Sequence, residues 1–146
     1  MHYYEDLAPG DRFEFSSYTV SRAEIVEFAE RYDPQPFHID DAAAADSICG
    51  ELIASGWHTA SISMRLLTDD VFVDIANLGG RGVDKLRWHR PVFPGDELSG
   101  YVEVTEMTPG EEGSGRGDVI MEVTLTNQDD ERVLSYSPIS IIRRRD

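Results

Sequence analysis

Three clusters of turn-forming residues, Pro91 to Gly95, Pro109 to Gly117 and Asn127 to Glu131, cut the second half of the chain into short apolar stretches. The stretches between and around them, Gly82–Trp88, Glu97–Met107, Val119–Thr126 and Arg132–Ile142, read as strands. None of the separators is long enough for a crossover helix, so the strands form an antiparallel run. Tyr101, Val102, Val104, Ile120, Met121, Val123, Leu125, Val133, Ile139 and Ile141 are the residues expected to supply much of the core. Asn77-Leu78-Gly79-Gly80, just before the first of these strands, reads as a turn.

The first half has a different pattern. Residues 3–20 read as an extended opening with a turn at Pro9-Gly10-Asp11. Ser21-Arg22-Ala23-Glu24 is a capping box, and the helix it opens carries Ile25, Phe28, Ala29 and Tyr32 on one face. That helix ends near Tyr32, because Pro34 disfavours helical geometry at Asp33. Asp40 or Asp41 can cap a short helix through the alanines to Ala45, and residues 46–54 read as irregular. A second, more buried helix begins at Ser55 or Gly56, with Trp57, Ala60, Met64 and Leu67 on its apolar stripe, widened by Ile62 and Leu66. Helices first and antiparallel strands after make an α+β arrangement, and 146 residues make one domain, 1–146, with room for one core.

Asp33-Pro34-Gln35-Pro36-Phe37-His38 is the stretch with chemistry in it. Each proline fixes its own φ and pushes the preceding residue toward extended geometry, so the backbone between Asp33 and His38 has few conformations. A loop hung from the end of a packed helix and holding a carboxylate and an imidazole suits acid/base work on a small substrate. The bland reading is a helix exit followed by a surface histidine.

The formal net charge of −15 argues against a nucleic-acid or anionic-membrane partner. Lys85 is the only lysine, and such an acidic, lysine-poor surface reads either as adaptation to high salt or as a solubility bias with no such meaning. Cys49 is the only cysteine, which excludes an intrachain disulfide and a cysteine-based zinc site. The opening residues lack a basic-then-apolar signal pattern, no apolar run is long enough to span a bilayer, and a cytoplasmic location follows as the expectation.

His58 lies one turn into the second helix and reads as a structural residue; His89 reads as a strand-end residue. No grouping of His, Asp and Glu has metal-ligand spacing, so no metal is expected. Lys85, Arg87 and Arg90 form the basic cluster outside the Arg143-Arg144-Arg145 tail, and alternation puts Lys85 and Arg87 on one strand face. That cluster is either a solvated face or a phosphate-binding patch.

Taken together these stretches resemble a known family. Asp33-Pro34-Gln35-Pro36-Phe37-His38 resembles the Asp-x-Asn-Pro-Leu-His signature of the MaoC-like dehydratases, the (R)-specific enoyl-CoA hydratases, with Asp33, Pro36 and His38 matching in identity and spacing. Ser55-Gly56-Trp57 sits where that family begins its central helix, usually with His-Gly-Met, and Arg90-Pro91-Val92-Phe93-Pro94-Gly95-Asp96 resembles its Arg-Pro-Val-x-Pro-Gly-Asp turn. Gln35, Phe37 and Ser55 depart from the pattern.

The resemblance implies a single hotdog domain, an antiparallel sheet wrapped around a central helix, and a homodimer with the ligand along the seam. It implies interconversion of trans-2-enoyl-CoA and (R)-3-hydroxyacyl-CoA, or of a related acyl thioester, with the coenzyme A thioester as substrate and no separate cofactor. Asp33 and His38 would hold the reacting water. The backbone amide of Gly56 or of Trp57 would meet the thioester oxygen, with Ser55 and Phe37 near the acyl group. Lys85, Arg87 and Arg90 would bind the coenzyme A phosphates. Two other readings share the fold. One is an acyl-CoA thioesterase, which commonly draws a carboxylate from the central helix, and Ser55 to Leu67 offers none. The other is a hotdog that binds a thioester or a protein without chemistry.

Overall fold

The structure, a computed structural model, describes residues 1–145. Its strands are β1 (Arg12–Glu14), β2 (Tyr18–Thr19), β3 (Asn77–Trp88), β4 (Glu97–Pro109), β5 (Arg116–Thr126) and β6 (Arg132–Arg143). Its helices are α1 (Arg22–Tyr32), α2 (Pro36–Ile39), α3 (Asp41–Ala45) and α4 (Gly56–Asp70). The sheet runs β1-β4-β5-β6-β3, with β2 paired to β4, and every pairing between strands is antiparallel. This is the α+β hotdog arrangement expected, with α4 packed on the sheet.

The capping box forms as read: Ser21 Oγ accepts from the Glu24 amide and the Glu24 carboxylate accepts from the Ser21 amide. Ile25 and Ala29 are the buried residues of α1, and its end at Tyr32 is the one the proline dictates. Asp40 caps α3 by accepting from the Ala42 amide. Ser55 caps α4 by accepting from the Trp57 amide.

The structure corrects four expectations. Asn77 to Gly80 is not a turn. β3 begins at Asn77, and its glycines carry register shifts against β6 at Asn77/Gly79 and Gly80/Gly82. Glycine at 79 has φ +148, so the residues that look like a turn in the sequence accommodate bulges instead. Second, the buried face of α4 is His58, Thr59, Ile62, Ser63, Leu66 and Leu67, whereas Trp57 and Met64 face outward. Hydrophobicity alone does not tell which apolar stripe the sheet covers. Third, Tyr101, Ile120, Ile139 and Ile141 are only partly buried, while Leu134 and Ile142 are fully buried. Fourth, the alternation that would put Lys85 and Arg87 on one face is broken by a bulge between Asp84 and Arg87, with Lys85 at φ +57.

One cluster unites the sheet residues Val102, Val104, Met121, Val123, Leu125 and Ile142 with Ile62, Leu66 and Leu67 of α4 and Ile25 of α1. Within it, Ser63 Oγ lies 2.7 Å from the Tyr136 hydroxyl, pinning α4 to β6 through a buried polar contact. The Arg144 and Arg145 side chains bond Glu5 and Asp6, so that tail ties the two ends of the chain together. Among the described residues no helix is long and apolar enough to cross a membrane.

Candidate active site

Pro34 and Pro36 shape the chain after α1 differently from a plain loop. Pro36 occupies the first turn of α2, where its missing N–H costs nothing, so His38 sits on a helical turn rather than on an extended segment. Gln35 precedes it in extended geometry and turns its side chain back to Asp33.

The resulting geometry is compact. His38 Nε2 lies 3.3 Å from Asp33 Oδ2, and the His38 side chain is 5% exposed. Ser55 Oγ donates to the same Asp33 Oδ2 at 2.7 Å, and Gln35 Nε2 donates to Oδ1 at 2.7 Å. Burial raises the Asp33 carboxyl, but the hydrogen bonds from Ser55 and Gln35 and the neighbouring His38 outweigh it and hold the group below the ordinary carboxylate value. His38 Nδ1 lies 2.7 Å from the Ile53 carbonyl. A carbonyl only accepts, so Nδ1 carries hydrogen and Nε2 is the atom left to exchange a proton. Ile53 is itself held by its amide bonding to Phe37 O at 3.3 Å, so the irregular segment beside α2 fixes the imidazole.

These groups open on a cleft of about 380 Å³ lined by Asp33, Gln35, His38, Ser55, Gly56, Trp57, Trp88, Arg90 and neighbours. Asp33, His38, Ser55, Gly56, Trp57 and Arg90 are therefore brought together. The Gly56 amide, first in α4, makes no hydrogen bond within the described residues. Phe37 instead lines an adjoining apolar cavity of about 400 Å³ with Ile48 and Cys49, which meets the cleft at Ile53. Lys85 and Arg87 do not line the cleft; Arg87 bonds the Leu86 carbonyl, and Arg90 pairs with Glu131 at 3.0 Å.

Sequence reasoning missed Trp88. Its Nε1 donates to the Gly56 carbonyl at 2.8 Å, and its ring meets Trp57 edge-to-face at 5.2 Å. No spacing rule signals a contact across 32 residues. The part of Ser55 that supports Asp33 was equally hidden, because its partner is 22 residues away. Among the described residues no group of His, Cys, Asp and Glu could hold a metal ion. His58, buried and stacked on Phe28 at 4.9 Å, stands outside the cleft.

Known proteins share this fold. The MaoC like domain matches residues 6–126. The uncharacterized protein YdeM of Bacillus subtilis is 32% identical over 105 residues, covering 72% of this chain and 74% of YdeM. The crystal structure of a MaoC-like dehydratase from Rhodospirillum rubrum superposes with a TM-score of 0.92 at 40% identity, covering 100% of this chain and 99% of that one. R-hydratase PhaJ1 from Pseudomonas aeruginosa superposes with a TM-score of 0.69 at 26% identity, covering 99% of this chain and 86% of that one. From its α4-on-sheet fold and from these matches, the chain belongs to the MaoC-like dehydratase domain family.

Proposed function

We propose that this protein is a hydratase/dehydratase that interconverts trans-2-enoyl-CoA and (R)-3-hydroxyacyl-CoA, or a closely related acyl thioester. The observation that carries the reading is the 3.3 Å approach of His38 Nε2 to Asp33 Oδ2, with every other polar atom of the two side chains already bonded. Two proton-accepting atoms facing each other across that gap favour a water that donates a hydrogen to each.

In the hydration direction that water attacks C3 of the enoyl group. Its oxygen forms the new C–O bond, the C2=C3 π electrons move toward the thioester oxygen, and one water proton passes to the Asp33/His38 pair. Protonation of C2 by the pair then restores the thioester, so atoms and charge balance. The free Gly56 amide and the start of α4 offer positive potential to the transient charge on the thioester oxygen. Ser55 and Gln35 keep Asp33 ionised and aimed. Arg90, at the cleft wall, is the cation of the basic cluster placed to meet a coenzyme A phosphate, whereas Lys85 and Arg87 would contribute only through a longer reach. The name of PhaJ1, an R-hydratase, supports the hydration reaction. The carboxylates of α4 lie at its far end, Asp69 and Asp70, away from the cleft, which disfavours the thioesterase reading.

The protein would act as a homodimer. β3 is the last strand of the sheet, so one edge is unpaired within the chain, and Trp57, Met64, Val73, Leu78, Val83 and Trp88 are exposed on or beside it. A second copy set edge to edge on β3 would pair those backbone groups and cover the apolar surface in a closed C₂ assembly. Light scattering at micromolar concentration checks this, with a stable monomer as the contrary result. The test of the activity is a hydration screen from crotonyl-CoA to longer enoyl-CoAs. Loss of the enoyl absorbance supports the reading, thiol release without it supports hydrolysis, and binding without either supports a silent domain.

A further inference from the structure

The apolar cavity of about 400 Å³ beside the catalytic cleft is used neither by the Asp33/His38 pair nor by the exposed residues assigned to the dimer seam. Its walls are Phe37 of α2, Asp46 at the end of α3, Ser47, Ile48, Cys49 and Ile53. Ile53 lines the catalytic cleft as well, so the two spaces meet at a residue they share. The cavity is as large as the cleft's own 380 Å³ or slightly larger. That volume falls within the range of about 300–1,000 Å³ typical of ligand pockets.

The inner wall is made of the residues that hold the catalytic imidazole. The Ile53 carbonyl accepts from His38 Nδ1 at 2.7 Å, and the Ile53 amide donates to Phe37 O at 3.3 Å. The Phe37 ring stands edge-to-face to the imidazole, with centroids 4.5 Å apart. The outer wall is anchored to α3. The Ser47 amide and hydroxyl both donate to the Ala44 carbonyl, at 3.0 and 2.6 Å, and the Gly50 amide closes the next turn on Ser47 O at 3.1 Å. Ile48, on that wall, is fully exposed, an apolar side chain that nothing in the described residues covers. In the proposed reaction the water held by Asp33 and His38 attacks C3, so the carbons beyond C3 leave from beside His38. The apolar residues packed around His38, Phe37 and Ile53, are the ones from which the cavity begins.

We infer that this cavity receives the distal part of the acyl chain, so that the protein prefers straight-chain thioesters longer than four carbons, with Phe37, Ile53 and Cys49 setting the length. The inference rests on the thioester reading of the cleft. A crotonyl group ends one carbon past C3 and leaves the cavity to water. Each further methylene leaves water for an apolar wall, and in a hydrophobic pocket one methylene is worth about tenfold or more in discrimination.

Cys49 makes the test direct, because it is the only cysteine of the chain and is partly exposed. Alkylation of the parent by iodoacetamide is followed with butyryl-CoA or octanoyl-CoA present. At ten times its Kd, octanoyl-CoA should slow the labelling of Cys49 about tenfold, whereas butyryl-CoA at ten times its own Kd should leave the rate near that of the free protein. Kinetically, the octenoyl-to-crotonyl ratio of kcat/KM should exceed about ten in the parent. In Cys49→Phe, which fills the cavity from the wall away from the cleft, that ratio should fall about tenfold or more. If that variant does not fold, the labelling of the parent decides alone. Equal protection by the two thioesters, protection by neither, or a folded Cys49→Phe protein with the parental ratio overturns the inference. Protection by octanoyl-CoA alone in a protein that hydrates no enoyl-CoA overturns the hydratase reading and leaves this one standing.

Discussion

Asp33 Oδ2 and His38 Nε2 lie 3.3 Å apart, and what surrounds them leaves those two atoms for chemistry. Oδ1 is committed to Gln35 and Nδ1 to the Ile53 carbonyl. Ser55 adds a donor to Oδ2, which lowers the basicity of that oxygen while keeping it ionised. The proposed function has a carboxylate and an imidazole so held act as one unit.

Ser55→Ala should cost stability and shift the pH profile together. Its hydroxyl caps α4 at Trp57, and losing such a cap costs about 1 kcal/mol. It also removes one of the hydrogen bonds that depress Asp33. A carboxyl with a depressed folded pKa contributes stability above its ordinary value of 3.8 and loses it as the pH falls through the folded value. With Ser55 gone the Asp33 pKa rises, so both the acid limb of turnover and the onset of acid unfolding should move to higher pH. Turnover and urea denaturation followed against pH check this; a destabilised variant with an unmoved acid limb would leave Ser55 as a cap alone.

Gly56→Ala should fail in the parent and recover when Trp88 is also changed. The new methyl would meet the indole at 2.4 Å, whereas alanine keeps the backbone N–H proposed to meet the thioester oxygen. Trp88→Ala empties that space, so the double variant should turn over crotonyl-CoA more than tenfold faster than Gly56→Ala alone, an interaction expected of touching residues. Equal rates in the single and double variants would mean that glycine is required there by the substrate rather than by Trp88.

How far the sequence reaches shows in these same residues. The capping box at Ser21 and Glu24, the helix stop before Pro34, and the strands between the proline and glycine clusters are local effects, and local chemistry decided them. Spacing to Asp33 and His38 placed the pair in one short segment, and their side chains meet. Asn77 to Gly80 misled because glycine serves bulges as well as turns, and only pairing with β6 decides between them. The Trp57–Met64 stripe misled because a helix can carry apolar residues on a face that its own chain leaves open. Ser55 and Trp88 reach their partners across 22 and 32 residues, where no periodicity operates.

His58 gives the stability curve a pH dependence of its own. Burial, opposed in part by the charge of Glu24, pulls its imidazole below the ordinary 6.5. Below pH 6.5 the unfolded chain therefore binds a proton that the folded chain refuses. Stability from this residue is complete above that value and declines as the pH falls toward the folded one. His58→Phe preserves an aromatic stack on Phe28 and removes both the titration and the unpartnered Nδ1. Between about pH 7.5 and about pH 5 the urea midpoint of the parent should fall more than that of the variant. Parallel curves would show that His58 does not titrate differently in the folded state.

The central claim is that Asp33 and His38 work on one water as a single device. Asp33→Asn keeps the shape and removes the charge; His38→Ala removes the imidazole. The most direct measurement is the hydration rate of crotonyl-CoA by the parent, the two single variants and the double variant, each shown to be folded by circular dichroism. Each single change should lower kcat by about 10²–10⁴, and the double variant should be little slower than the worse single one, because groups that act together are not additive. A folded Asp33→Asn protein that hydrates crotonyl-CoA as fast as its parent would contradict the account.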